Sequence, residues 1–485
     1  MTSLGDSGCP PEGRDGGRWR RKVLAAGLAG GLYLCRLQNS RADDSHVDYR
    51  YQIYQEDGDR VLVNTHSGLF DVSLSPKIRL QGEVVIDTIS GATPSGAPAY
   101  KDLDVLPAGQ VGFNAITASY NNQMNLAGYA NNPQGFLNYL QANFPAFAQQ
   151  VLATYNQATN NYTQALAANP NYRSSKVPLT PTSDQREAVT FGLPISFGPN
   201  TLTPQFSYSE ESDYISVGTS LNYARTFNGK NTTLDLGWSH DYDSVRDYWD
   251  FTPQGNFIWQ TKNTDEFIVG VNQLINPKAY ITVNFTYGHS QGYLNDQYRQ
   301  VYAANAPVTT DLAIGGQPQI DQSQGLSILD GWRPEQRPRE KDKYVGYVSY
   351  VQFVTPINGS VETSYRFYHD SYGVTAHTLE AAWHQKVGRK LVISPSARYY
   401  IQNAANFYYY MVPDYRNWPQ YYSSDYRLSH FESFTCGLSL TWWVTKSFCL
   451  DATYSRYVMR GLDGVTAQDM YPSANIYGMG ARLWF

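Results

Sequence analysis

The sequence predicts an all-β protein: a single antiparallel transmembrane β-barrel of about sixteen strands, with a partly helical insert on the extracellular side. Three observations predict it. Only 16% of the 485 residues are charged, with 42% hydrophobic and 40 tyrosines, against about 25% charged in an ordinary soluble domain. Segments of ten or so residues alternate apolar and polar with period two, the pattern of a strand with one face in lipid. Connections between them are alternately very short and very long, as in outer-membrane barrels, where periplasmic turns are short and extracellular loops long. The aromatic and β-branched content excludes disorder. The net charge of −5 offers nothing to track a phosphate backbone, so nucleic acid is not an expected partner.

The N-terminus reads as an export signal over residues 1–42, with the barrel over 43–485. Arg14, Arg18, Arg20, Arg21 and Lys22 precede an apolar run from Val23 to Cys35, and Ser40-Arg41-Ala42 then supplies a cleavage site after Ala42. Arg20-Arg21 also fits a twin-arginine signal, but that route carries folded cargo, and a barrel crosses the periplasm unfolded. A lipoprotein reading of Cys35 fails on Leu34, where a small residue is needed. After the signal no apolar run approaches the roughly 18–20 residues of a membrane-spanning helix.

Strands are read beginning near 46, 61, 78, 187, 201, 214, 231, 265, 279, 342, 360, 374, 390, 432, 447 and 475. The last is clearest. Tyr477, Met479, Ala481, Leu483 and the terminal Phe485 suit lipid, and they alternate with Gly478, Gly480, Arg482 and Trp484. Outer-membrane lipid is therefore one expected partner, and the barrel-assembly machinery, reading Phe485 on the C-terminal strand, is another. The same parity places Cys436 toward lipid and Cys449 toward the lumen. Side chains on opposite faces of a sheet cannot close a disulfide, so both are expected as free thiols. Short turns fall at Ser75-Pro76-Lys77, Gly198-Pro199-Asn200, Asn228-Gly229-Lys230, Asn276-Pro277-Lys278, Pro356-Ile357-Asn358, Val387-Gly388-Arg389 and Val444-Thr445-Lys446. Long connections span about 91–186, 242–264, 292–341, 403–431 and 460–474.

Several stretches resemble an uncharacterised bacterial outer-membrane family catalogued as domain of unknown function 3570. They are Val47–Glu56 (VDYRYQIYQE), Asp87–Pro98 (DTISGATPSGAP), Ser209–Asn222 (SEESDYISVGTSLN), Tyr365–Glu380 (YRFYHDSYGVTAHTLE) and Ser423–Ser429 (SSDYRLS). The resemblance implies an outer-membrane barrel and carries over no catalytic residues. Members of the family tend to be encoded beside flavin-transfer and thioredoxin-like proteins, which implies a periplasmic redox partner. The long first loop, 101–185, departs from the family pattern.

That loop is expected to be partly helical. Asn132-Pro133 suits an N-cap followed by Pro at the first helical position. Phe136, Leu140, Phe144, Phe147, Val151 and Tyr155 then recur at helical spacing on one face, with a second helical stretch near 156–168. It reads as a plug in the lumen, a cap or adhesive surface outside the cell, or a variable insert.

Parity assigns the charges Arg79, Glu83, Asp87, Glu362, Arg366, Glu380, Arg398, Asp451 and Arg482 to the lumen. Such charges either set solute selectivity or brace the barrel wall as ion pairs. His240-Asp241 and His369-Asp370 lie at extracellular strand ends, where an acid–base pair of a surface hydrolase would sit. No Ser or second carboxylate stands at a readable spacing, so the chain is not expected to be an enzyme. No haem-attachment, phosphate-loop or zinc spacing is present, so no cofactor or metal is expected. The aromatics from Phe407 to Tyr426 read either as a sugar-stacking surface or as membrane girdle and loop packing. The expected function is a porin-like passive channel for small polar solutes. The rivals are a sheath for a periplasmic redox or export partner, and a surface enzyme or adhesin.

Overall fold

The computed structural model describes residues 45–102, 110–168, 174–251, 255–304 and 332–485. The export signal and the Ala42 cleavage site lie outside the described residues. One antiparallel sheet runs β1 (His46–Glu56), β2 (Val61–Ser75), β3 (Ile78–Pro94), β4 (Leu179–Gly192), β5 (Ile195–Phe197), β6 (Asn200–Glu210), β7 (Tyr214–Phe227), β8 (Thr232–Phe251), β9 (Phe257–Asn276) and β10 (Ala279–Gly292). It continues through β13 (Glu340–Val354), β14 (Gly359–Asp370), β15 (Thr375–Val387), β16 (Leu391–Gln402), β17 (Phe431–Trp443), β18 (Phe448–Gly461) and β19 (Ser473–Trp484). Two short strands outside it, β11 (Gln300–Tyr302) and β12 (Trp332–Pro334), form a ribbon in a loop.

β3 and β6 each pair with both β4 and β5, so these two are halves of one stave broken at Leu193-Pro194. Proline cannot donate to a ladder, which confines it to edges and breaks. The seventeen strands of the sheet thus make sixteen staves. β1 pairs with β19 from His46↔Trp484 to Glu56↔Ala474 and closes the cylinder. Closure leaves no unpaired backbone edge toward lipid.

The outer face is apolar and exposed. Phe434, Leu438, Leu440 and Trp442 on β17, and Tyr477, Met479 and Leu483 on β19, all point outward. Cys436 is exposed among them, Cys449 is buried on the inner face, and both are free.

Strands reach further above the membrane than alternation alone indicates. β4 begins at Leu179, not near 187, and pairs with β3 up to Pro94↔Leu179, so the end of the 101–185 segment is strand. β8 and β9 likewise run on to Phe251↔Phe257 through most of the expected 242–264 loop. Beyond the bilayer no lipid selects an apolar face, and the period-two signal fades while the ladder continues.

The insert holds three helices: α1 (Gln110–Leu126), α2 (Pro133–Asn143) and α3 (Pro145–Ala168). Asn132 caps α2, its side chain accepting from the Gly135 N–H at 2.9 Å. The expected single apolar face splits in two, because Phe144 precedes Pro145. The residue before a proline is driven out of the α region, and Phe144 sits at φ −142°, ψ 62°. Phe136 and Leu140 therefore pack with Met124 of α1 and Ala148 of α3, while Phe144, Phe147 and Tyr155 are exposed. α1 carries no strong apolar stripe in the sequence; the tertiary cluster reveals it.

Candidate functional site: a loop cap over a charged lumen

Cross-strand neighbours on the inner face form a ladder of opposite charges. Arg79 pairs with Asp71 at 2.7 Å, Arg398 with Glu380 at 2.8 Å, Arg186 with Asp87, and Arg482 with Asp48. Each links adjacent staves, which braces the wall. Arg366 lies over the Tyr347 ring instead. Glu83, Arg366 and Asp451 make no ion pair among the described residues.

Glu362 meets His384 at 3.4 Å, and the other ring nitrogen of His384 lies 2.9 Å from Ser394 Oγ. This Glu–His–Ser row spans three strands, so no sequence spacing could disclose it.

The two histidine–aspartate dipeptides are parted by the strand. Neighbouring residues face opposite sides of a sheet, so His240 turns outward and contacts Asp265 at 3.0 Å. Asp241 turns inward. His369 is outward beside Thr375 Oγ1 at 2.9 Å, and Asp370 is buried inside, 3.0 Å from Lys341. Neither dipeptide forms an acid–base pair.

At the long-loop end the connections fold into a cap. Arg299 donates to the Pro94 carbonyl, and the Gln300 N–H to the Ser95 carbonyl at 3.2 Å. The β3–β4 and β10–β13 connections leave the wall six staves apart in a ring of sixteen, so they touch only by crossing the mouth. The β16–β17 loop reaches the same point. Gly96, at φ +96°, lies so close that a Cβ there would stand 2.5 Å from Ser424 Oγ and 2.7 Å from the Gln300 carbonyl.

The cap has its own cores. Val301, Ala303, Val412 and Tyr422 form one, and Tyr372, Val374, Ala405 and Phe407 another. A third joins both roots of the insert, Ala99 and Val177, to Tyr426, Phe431, Met470 and Tyr471. The Phe407–Tyr426 aromatics thus pack the cap rather than girdle the membrane. Tyr400 and Tyr457 of the inner wall pack against this third core, Tyr400 on Phe431.

At its centre lies an ionic cluster drawn from three loop segments. Arg337 meets Glu335 at 2.7 Å and Asp425 at 3.0 Å, while Arg427 meets Asp425 at 2.7 Å and Asp296 at 2.6 Å. Ser423 Oγ donates to Glu335 at 2.5 Å, and the Asp296 N–H also donates to it. Burial pushes the Glu335 carboxyl up to about 7: its one guanidinium, Arg337, is opposed by the carboxylates of Asp296 and Asp425. Burial acts on Asp425 in the same sense, but the guanidiniums of Arg427, Arg299 and Arg337 outweigh it and hold that carboxyl well below the usual range. Opposite shifts of two buried carboxyls follow from how many cations each one faces.

Beneath the cap is a cavity of about 260 Å³. Its wall is the inner face of β13–β16, with Lys341, Arg366, Tyr368, Thr378, Arg398 and Tyr400, and its roof is Arg427 and Leu428. To the side, Asp184, Glu211 and Asp213 bring carboxylate oxygens within 4.8 Å of one another. Asp213 accepts from Tyr298 and from Tyr248 at 3.3 Å. Burial pushes both Glu211 and Asp213 up, which favours protonation over an open anionic site.

A closed sixteen-stave cylinder with an apolar outer face, a charged inner face and all its long loops at one end is an outer-membrane β-barrel. The profile of the family described as "Protein of unknown function (DUF3570)" matches residues 31–479, and the chain belongs to that family. The five stretches that carry the resemblance meet at the cap. Glu56 pairs with Arg60, whose guanidinium bonds the Asp469 and Met470 carbonyls. Gly96 touches Ser424, Asp213 accepts from Tyr298, Tyr372 packs on Phe407, and Asp425 centres the cluster.

No curated protein matches the sequence. Among solved structures the chain is similar to CdiB from Acinetobacter baumannii, at 8% identity and TM-score 0.43, over 91% of this chain and 60% of that one. It is similar to the siderophore receptor PirA from Pseudomonas aeruginosa, at 8% identity and TM-score 0.36, over 90% and 62%. A bacterial polysaccharide outer membrane secretin matches at 7% identity and TM-score 0.39, over 92% and 100%. The chain thus spans about three fifths of the first two.

Proposed function

We propose that this barrel is a passive channel for small polar solutes, with the loop cap setting its aperture. The observation that supports the reading is the inner wall. Sixteen staves enclose enough width for an aqueous path unless loops fill it, and the wall presents cross-braced charges and hydroxyls. Rings of such groups set solute selectivity in pores. Assembly is proposed to run through the C-terminal strand β19 and Phe485 just after it, which donates its N–H to the Ser45 carbonyl at the closing seam at 3.0 Å.

The test is conductance in planar bilayers. Purified protein should give discrete steps. Replacing the segment between Asp102 and Ser174 with a Gly-Ser linker spares Ala99, Val177 and all of β4. If the helices narrow the mouth, the steps grow severalfold; unchanged steps place the helices outside the path. Absence of steps in both forms removes the channel reading and leaves a scaffold.

A further inference from the structure

We infer that the cavity beneath the cap is a binding station for a small oxyanion, a carboxylate or phosphate, held chiefly by Arg366. The inference deepens the channel reading by naming a solute class, although the binding itself requires no conduction. Four cations face the cavity. Three are matched: Lys341 by Asp370 at 3.0 Å, Arg398 by Glu380 at 2.8 Å, and Arg427 by Asp425 and Asp296. Among the described residues Arg366 has only the Tyr347 ring, at 5.7 Å. The lining therefore holds one cation without a carboxylate partner among the described residues, on the side chain whose fork matches a planar or tetrahedral oxyanion with two parallel bonds.

The surroundings suit an anion in other ways. Arg398 is half-exposed and free to add a second donor. Thr378 adds a hydroxyl on the same wall. Asp370, the one carboxylate in the lining, already accepts from Tyr368 at 2.6 Å and lies against Lys341, so its charge is spent locally. At about 260 Å³ the cavity is below the roughly 300–1,000 Å³ of drug-sized sites and fits a metabolite-sized anion. The roof over it is the Asp425–Ser429 turn that the ionic cluster holds down.

Titration calorimetry on the full protein in neutral detergent, with succinate, inorganic phosphate and glucose as probes, tests this directly. Saturable heat is expected for at least one anion and none for glucose, and the two anion arms separate carboxylate from phosphate. Arg366→Gln should weaken binding at least tenfold, with Arg366→Lys intermediate, because the charge stays and the fork is lost. Heat-modifiable gel mobility verifies that each variant forms the barrel. Should the glutamine variant not assemble, the lysine variant carries the same comparison. No saturable heat with either anion, or equal binding by a folded Arg366 variant, overturns the inference. Conductance without binding would leave the channel reading standing alone, and binding without conductance would leave only the binding station.

Discussion

Replacing Asp425 with asparagine keeps the shape of the side chain at the centre of the cap and removes its charge. Asp425 is 1% exposed and receives Arg427 and Arg337 directly, at 2.7 and 3.0 Å. Removing one partner of a buried ion pair costs about 3–5 kcal/mol, because the other charge is left uncompensated. The Arg427 side chain is 54% exposed, so water screens its share, whereas Arg337 is 13% exposed and is not relieved in that way. The lower end, about 3 kcal/mol, is therefore expected. At about 1.4 kcal/mol per factor of ten, local opening of the cap should rise about 100-fold. Amide hydrogen exchange reads this at Gln336 and Tyr422, whose backbones bond each other reciprocally at 2.9 and 2.8 Å. Amides in the β17–β18 ladder should keep wild-type rates, since local opening and barrel unfolding are separate events. Wild-type rates at Gln336 and Tyr422 would show that the cluster does not hold the cap. Acceleration spread evenly over the barrel would show that cap and barrel are one cooperative unit.

Cap stability should also depend on pH through Glu335. Its folded value is raised from 4.5 to about 7, so the folded cap keeps a proton that the open form has released. Protection should therefore grow as pH falls from 7 toward 4.5 and shrink as pH rises through 7, and Glu335→Gln should abolish this slope. Asp425 is depressed, so its contribution is full above 3.8 and fades only in stronger acid. A flat exchange-protection profile between pH 4.5 and 7 in the wild type would contradict the assignment. Gly96→Val demands a side chain at φ +96°, 2.7 Å from a fixed carbonyl, a strain of order 1–3 kcal/mol. Limited proteolysis should then cut the cap loops while the barrel core survives. Mass spectrometry should find Cys436 and Cys449 as free thiols. Cys449 is only 4% exposed, so a water-soluble maleimide should label it slowly even through an open lumen, and a linked pair would mean a slipped register.

Within the bilayer the sequence by itself determined the stave number, the parity and the free cysteines. Lipid on one side and water on the other force every second residue to declare itself, as Leu438, Leu440 and Trp442 do against Ser439 and Thr441. Turn residues add the register, because Asn228-Gly229-Lys230 takes up positive φ values that mark a tight reversal. Above the bilayer that pressure ends. The upper parts of β4, β8 and β9 carry no alternation and looked like loop. The site was less legible still. The partners of Arg366 and Asp425 come from segments up to about 130 residues apart, Asp296 to Arg427 among them, and no local spacing encodes which loops cross the mouth. His240-Asp241 illustrates the converse: adjacent in sequence, the two side chains are separated by the wall of the barrel. Tertiary closure alone decided which charges meet, because a ring of sixteen staves brings the β3–β4, β10–β13 and β16–β17 connections to one point.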